Sequence, residues 1–343
     1  MKIFILTQFY FDLHKPILKE THFIQQMNIL LLAPSYLDLY KPILNGLKEK
    51  GHKVTWIEDE DLLYSYKRKD RSFFFRIIKY AVSKLKGVER KHWRKYQHLL
   101  SSQSYDLLFV INGCSYCNFV LNQLLKVNPN VRKVLYIWDT CKFFDYLYYK
   151  RHFDKIYSFD YEDSLNNSDV TFLPFYWVPS TQEKATSTYD ISLIGSDHDN
   201  RLQIVNAILP QLQSAGIKYY IKIVANAYST QKEEYSDILV HEKISIDEIY
   251  HIMSSSNCIL DTDRETQTGT TPRVIWALAM GKKIVSTNKN LKRLDFINQE
   301  QVYVFDRYNP QLDIEFIKSN SNFPVSDYVN SLQISKWLDN FLS

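Results

Sequence analysis

Short apolar runs bounded by polar turns recur along the chain, and most are followed by a segment with apolar residues three and four apart. The runs predict strands at 28–33, 53–57, 106–111, 133–138, 155–159 and 170–173. A second series follows at 190–194, 219–224, 258–260, 283–286 and 302–305. Helices are predicted between them. One has Pro42 in its first turn and Gly51 at its close, a long one covers 71–100, and others cover 201–214, 246–254 and 274–280. A last apolar face, from Val329 to Leu342, predicts a terminal helix over 326–342. Strands alternating with helices of this length predict parallel sheets covered on both faces. At 343 residues the chain is long enough for two such domains. The polar, turn-rich stretch 176–189 reads as the linker, with a first domain at 27–178 and a second at 188–325.

The pattern also repeats once. Residues 1–20 align with 27–46, with Tyr10 on Tyr36, Asp12 on Asp38 and Lys-Pro-Ile-Leu on Lys-Pro-Ile-Leu. The unit is too short for a solenoid. Only the second copy continues into strand, helix and strand, so 1–26 read as a partial duplicate outside the core fold.

The most informative stretch runs from Asn257 to Asn288. It reads as strand, glycine-bearing loop, buried helix, glycine and strand. Thr271 is a good N-cap and Pro272 suits the first helical residue. Arg273 then stands in the first turn, where the helix dipole opposes a cation by roughly 0.3–1 kcal/mol. A bound anion would offset both charges; the plainer reading is a surface arginine bent into solvent. Free N–H groups at a helix start suit a phosphate. The candidate diphosphate site therefore takes Thr268, Gly269, Thr270, Thr271 and Arg273, with Gly195, Ser196 and Arg201 from a second such loop. Arg201 alone reads equally well as helix-surface charge. Asp139 ends the apolar strand before it and is a candidate general base on an acceptor hydroxyl, or a plain N-cap. Asp38 and Asp160 are weaker candidates of that kind. Asp261-Thr262-Asp263 is a DxD of the type that can hold a divalent cation, at a spacing common by chance.

Charge changes the picture in one place. The net charge is only +4, yet 67–95 hold twelve Lys and Arg against Asp70 and Glu89. Aromatic and aliphatic residues are interleaved there. Contact with an anionic membrane through Lys84, Lys86, Arg90, Lys91, Trp93 and Arg94 is one reading, and a solvated helix face is its equal. Nucleic acid is disfavoured, because no base-reading motif accompanies the charge. No GxGxxG follows the first strand, which argues against an NAD site. The four cysteines form one CxxC, Cys114 and Cys117, without a partner pair at zinc spacing. No apolar run reaches the length of a membrane span and the N-terminus is a poor signal peptide, so a cytoplasmic protein is expected.

Taken together, GTTPRVIWALAMGKKIVSTN with the upstream IDEIYHIMSSSNCILD resembles the donor-site segment of GT-B glycosyltransferases of bacterial capsule and lipopolysaccharide assembly, a group with spore-coat relatives. The matching positions are Gln267, Gly269, Thr271, Arg273, Ala277, Leu278, Lys282, Lys283, Thr287 and Asn288. The runs YIWDTCKFFDYLYY, FDKIYSFDYEDS, FLPFYW and ISLIGSDHDNR are similar to the same group. The resemblance implies two Rossmann-like domains with parallel sheets facing a cleft, and a last helix, 326–343, returning to the first domain. It implies transfer of a sugar from a nucleotide sugar to a hydroxyl of a lipid-linked or oligosaccharide acceptor, at the inner face of the membrane and without a metal or other cofactor. Arg201, Arg273 and the helix start would stabilise the departing diphosphate, and Asp139 would be the base of an inverting reaction. Trp276 and Asn288 would lie near the donor. The chain departs from the pattern at Trp276, where such enzymes often carry a ribose-binding Glu, and at Thr268, a carboxylate in many retaining relatives; Glu265 is out of register. A nucleotide-sugar epimerase on the same fold and a non-catalytic sugar-nucleotide-binding partner are the alternatives.

Overall fold

A computed structural model describes residues 25–60, 68–69, 71–179, 187–226, 229, 235–319 and 322–343. The first copy of the repeat, 1–24, and the linker residues 180–186 lie outside the described residues.

The first sheet contains β1 (Asn28–Ala33), β2 (Lys53–Glu58), β3 (Leu107–Ile111), β4 (Arg132–Ile137), β5 (Lys155–Ser158) and β6 (Val170–Phe172), in the order β2-β1-β3-β4-β5-β6. The second contains β7 (Tyr189–Ser196), β8 (Tyr219–Val224), β9 (Leu239–Val240), β10 (Ser256–Asp261), β11 (Lys283–Ser286) and β12 (Val302–Val304), in the order β12-β11-β10-β7-β8-β9. Every pairing is parallel, with registers such as Ile29 on Leu107 and Cys258 on Lys283. Parallel strands need crossover helices, which cover both faces, so central strands read as continuous apolar runs. Leu107, Leu108, Phe109, Val110 and Ile111 of β3 are accordingly all fully buried.

The first domain carries α1 (Tyr40–Glu49), α2 (Phe73–Lys86), α3 (Val88–Arg94), α4 (Gln97–Ser102), α5 (Asn118–Leu125) and α6 (Tyr161–Asn166). The second carries α7 (Arg201–Ser214), α8 (Ile246–Ser254), α9 (Pro272–Ala279) and α10 (Ile314–Lys318). The chain ends in α11 (Asp327–Ser331), α12 (Ile334–Trp337) and α13 (Asp339–Leu342). Two predicted helices are thus corrected. The segment 71–100 is three helices, because Gly87 takes a left-handed φ of 57° and ends α2. The terminal helix is three short helices: α11 lies against α9 of the second domain, with Tyr328 on Phe296, and α12 and α13 wrap round the first.

That wrap is anchored by aromatics. Phe341 stacks on Phe109 at 4.4 Å and Trp337 meets Tyr136 edge-on at 4.9 Å. The Trp337 indole N–H donates to the Pro174 carbonyl at 3.0 Å. Lys50, just after α1, pairs with Asp339 at 2.6 Å. Trp93 also corrects the sequence reading. It is fully buried and its indole N–H donates to the Ser115 carbonyl at 2.9 Å, so it packs α3 inward and offers nothing to a membrane.

Candidate functional site

The carboxyl ends of β4 and β5 face the second domain, and one carboxylate marks the junction. Asp160 lies two residues past the end of β5 and caps α6, accepting from the Asp163 N–H at 3.2 Å. It also reaches across. Its Oδ2 accepts the Thr268 N–H at 2.8 Å and the Gly269 N–H at 3.2 Å, and its Oδ1 accepts the Thr268 hydroxyl at 2.7 Å. Gly269 is glycine because the first domain comes so near: a Cβ there would lie 2.4 Å from the Phe159 carbonyl oxygen. Thr268 and Gly269 therefore form the seat between the domains, with their N–H groups on Asp160. The Gly269 carbonyl is in turn held by Asn288 Nδ2 at 3.0 Å.

Beyond that seat lies a cluster of guanidinium groups. Arg201 begins α7 and is buried; its Nε donates to Thr262 Oγ1 at 2.6 Å, and its other nitrogens to the Ser196 and Thr262 carbonyls. Burial, with the neighbouring Arg273 charge, pulls this guanidinium down to about 9. Arg273, in the first turn of α9, donates to Asp261 Oδ1 at 2.8 Å and to the Ile194 carbonyl at 3.3 Å. Both guanidiniums pack on Gly195, where a Cβ would lie 2.6 Å from Arg201 Nη1 and 3.0 Å from Arg273 Nη1. The cation at the helix start is thus paired with Asp261, which is fully buried and also accepts from Thr271 Oγ1 and Ser286 Oγ. Thr271 occupies the N-cap position but spends its hydroxyl on Asp261 instead of on the helix.

The Asp261 carboxylate pairs with Arg273, while Arg201 is held by Thr262 and by backbone carbonyls. A second acid, Asp263, is matched by its own arginine, Arg307, at 2.6 Å. Both acids of the DxD are therefore committed to guanidinium groups. Among the described residues no group of three or more His, Cys, Asp or Glu is arranged to hold a metal. Thr270, next to the helix start, is fully buried, and its hydroxyl has no hydrogen-bond partner in the structure. His198, in the same loop as Arg201, is pushed down to about 3 by burial and by the Arg201 charge, and is neutral at physiological pH.

Asp139 is half-buried at the end of β4, where Asn112 Nδ2 donates to its Oδ2 at 2.8 Å. No helix starts at Thr140, so Asp139 is not an N-cap. Asn112 takes a left-handed φ of 60° and its Oδ1 accepts the Trp138 N–H at 2.9 Å, fixing the loop on which Asp139 sits. Trp276 is buried, stacks near Tyr250 at 4.7 Å and donates its indole N–H to the Tyr176 carbonyl at 3.0 Å. It ties α9 to the chain that leaves the first domain. The structure brings Gly195, Ser196, Arg201, Thr270, Thr271 and Arg273 together at the ends of β7 and β10, and turns Thr268, Gly269 and Trp276 towards the first domain.

Two features were missed in the sequence. Tyr36, after β1, places its hydroxyl 2.6 Å from Ser196 Oγ, so the first domain touches the guanidinium loop directly. The next residues, Leu37 and Asp38, take left-handed φ values of 49° and 57°. Non-glycine residues are strained there by roughly 1–2 kcal/mol each. The repeat flagged Tyr36 and Asp38, but nothing local to them signals a contact with residue 196. The other feature is Asp59, which accepts the Cys114 and Ser115 N–H groups at 2.6 and 2.7 Å and so fixes the loop that carries the CxxC.

With this geometry in view, the fold matches solved structures. The chain superposes on the glycotransferase of kitacinnamycin with a TM-score of 0.52 at 9% identity, over 92% of this chain and 96% of that one. The fold is GT-B. Also similar are a Listeria monocytogenes protein assigned as a UDP-N-acetylglucosamine 2-epimerase (TM-score 0.48, 10% identity, 92% and 91% covered) and MurG of Acinetobacter baumannii (0.43, 10%, 90% and 95%). No protein-family model matches the chain, and no curated protein matches it.

Proposed function

We propose that the protein transfers a sugar from a nucleotide-sugar donor to an acceptor hydroxyl. The observation that supports this most is the unequal charge at the ends of β7 and β10. Arg201 and Arg273 both lean on Gly195, but only Arg273 pairs with a carboxylate, Asp261, while Arg201 is held by Thr262 and by backbone carbonyls, beside the N-terminus of α9 and the unpartnered Thr270 hydroxyl. An excess positive charge beside helix N–H groups suits a diphosphate. In the reaction, the acceptor oxygen attacks the anomeric carbon while the bond from that carbon to the donor phosphate breaks. The electron pair leaves with the diphosphate, whose charge the guanidiniums stabilise in place of a metal. Asp139, held by Asn112, takes the acceptor proton in an inverting reaction.

We further read the acceptor as lipid-linked or an oligosaccharide, in cell-surface polysaccharide synthesis, with the protein peripheral on the inner face of the membrane. No described helix is long and apolar enough to cross a membrane. Trp276 stands where relatives of the resembled group often carry a ribose-binding carboxylate, so ribose recognition falls to other groups. An epimerase on the same fold would need the donor site but no acceptor base.

The test is a melting-shift screen against UDP, GDP, dTDP, ADP and CMP, followed by release of nucleoside diphosphate from the matching nucleotide sugar. A shift with one diphosphate is expected. Asp139→Asn should bind that diphosphate normally and lose turnover. No shift with any of them would remove the donor site, and full turnover in Asp139→Asn would remove the base.

A further inference from the structure

We propose that α2 is a docking ridge for an anionic lipid surface and that it holds the acceptor side of the cleft against the membrane. Only the second half of this statement rests on the transferase reading. The helix keeps Phe75 and Val82 half-buried but turns a larger apolar stripe outward. Phe74, Ile78, Ala81 and Leu85 follow the four-three-four spacing of one helical stripe, and that stripe faces solvent: Phe74 is 76% exposed, Ile78 59% and Leu85 88%. Phe73 and Ile77 flank it, at 69% and 47%. The inward side carries Ser83, buried with its hydroxyl unpartnered in the structure. A helix held by its own core would show the reverse. Single exposed apolar residues are ordinary, but a contiguous stripe marks a surface that is covered in use.

Charge chooses the occupant. Lys84 and Lys86 lie beside the stripe and are exposed, and Arg90, Lys91 and Arg94 continue the basic surface along α3. Protein interfaces are depleted of lysine at their cores, and a second copy would set this positive surface against itself. A bilayer with anionic headgroups accepts both features, the lysines at the headgroups and the aromatic and aliphatic side chains below them. The place in the fold gives the ridge its purpose. Ser72 caps α2 just after Arg68, which forms a bridge with Phe144 in the loop that follows Asp139. The Arg68 guanidinium lies 4.6 Å from the Phe143 ring centre, and Arg264 of the second domain lies 4.4 Å from the same ring. The ridge therefore springs from the rim of the cleft that carries Asp139, where a lipid-linked acceptor would arrive.

The experiment is co-sedimentation of the whole chain with vesicles of phosphatidylcholine alone, or mixed with phosphatidylglycerol, without nucleotide. Binding to the mixed vesicles only, weakening as salt is raised, is expected. Phe74→Glu/Leu85→Glu should bind at least about tenfold more weakly, with its melting temperature unchanged because both side chains are exposed in the free protein. Lys84→Glu/Lys86→Glu should lose the preference for anionic lipid. A double variant that sediments like the parent, or a parent that ignores anionic vesicles, overturns the proposal. So does a dimer in velocity sedimentation that Leu85→Glu makes monomeric. The nucleotide screen fails or succeeds independently of these outcomes.

Discussion

The Asp160 carboxylate and the Thr268 N–H, 108 residues apart in sequence, meet at 2.8 Å and close the first domain onto the second. Asp160 is buried, so its partners have no water to fall back on. Asp160→Ala leaves three backbone N–H groups, of Asp163, Thr268 and Gly269, and the Thr268 hydroxyl without this acceptor, at about 1–3 kcal/mol for each group that stays buried. A loss of at least about 2 kcal/mol in urea unfolding is expected, with a milder loss for Asp160→Asn, which keeps an acceptor oxygen. Gly269→Ala should open the domains, because the new methyl would meet the rigid Phe159 carbonyl. A larger radius of gyration by solution scattering is the sign to look for. An Asp160→Ala protein with the parent's stability would show that the domains are held elsewhere.

Arg273 serves two ends that a single substitution confuses. Arg273→Ala removes a cation from the proposed anion site, but it also leaves Asp261 buried without its guanidinium. Breaking a buried pair this way costs about 3–5 kcal/mol. The single variant should therefore melt early whatever it binds. Arg273→Ala/Asp261→Asn removes both charges and should recover most of that stability. If Arg273 also holds a diphosphate, the double variant stays unable to bind one. Recovered stability together with recovered nucleotide binding would confine Arg273 to a structural role.

Much of the fold was legible because central parallel strands are buried on both faces. Short runs such as Leu107–Ile111 fit a buried strand, and the predicted strands end within a residue or two of the observed ones, while the two-residue β9 has no such run and is not predicted. What depends on a distant partner was not legible. Gly269 stands out in the sequence, yet the reason the fold supplies, a carbonyl 110 residues earlier and no positive φ, has no local signal. Arg273 was marked as an electrostatic misfit, and Asp261 as half of a DxD. That each resolves the other follows only once α9 is laid beside the end of β10. For α2 the pattern shows an amphipathic helix but not which side is inward, and in α3 it does not reveal that Trp93 is buried. Helix periodicity gives a stripe; the neighbours decide where it faces.

His198 makes the fold sensitive to acid. Burial holds its pKa near 3, against an ordinary value of 6.5 in the unfolded chain. Between those values the unfolded state binds the proton and the native state does not. Stability therefore falls as pH is lowered from 6.5 towards 3, by on the order of 1 kcal/mol per pH unit, and is independent of this group above 6.5. His198→Gln, which cannot titrate, should flatten that part of the stability profile while leaving neutral-pH stability within about 1 kcal/mol. The measurement is urea unfolding at a series of pH values. An equally steep profile in His198→Gln would assign the acid sensitivity to other groups.

Trp276 separates the two uses to which α9 could be put. At this position a carboxylate would serve ribose binding in the resembled group, so Trp276→Glu is the obvious attempt to strengthen nucleotide binding. The structure predicts that it fails. The indole is buried against Tyr250 and holds the Tyr176 carbonyl, and no cation among its observed partners would pair with a new carboxylate. A buried, unpaired acid is unfavourable by several kcal/mol and is relieved by protonation. Trp276→Glu should therefore be less stable at pH 8 than at pH 5, relative to the parent, and should bind no nucleoside diphosphate more tightly. Trp276→Phe keeps much of the stacking but strands the Tyr176 carbonyl, for a loss of about 1–3 kcal/mol. Tighter UDP or GDP binding by Trp276→Glu would instead place the ribose beside α9 and make the tryptophan a replaced ligand rather than a strut between the domains.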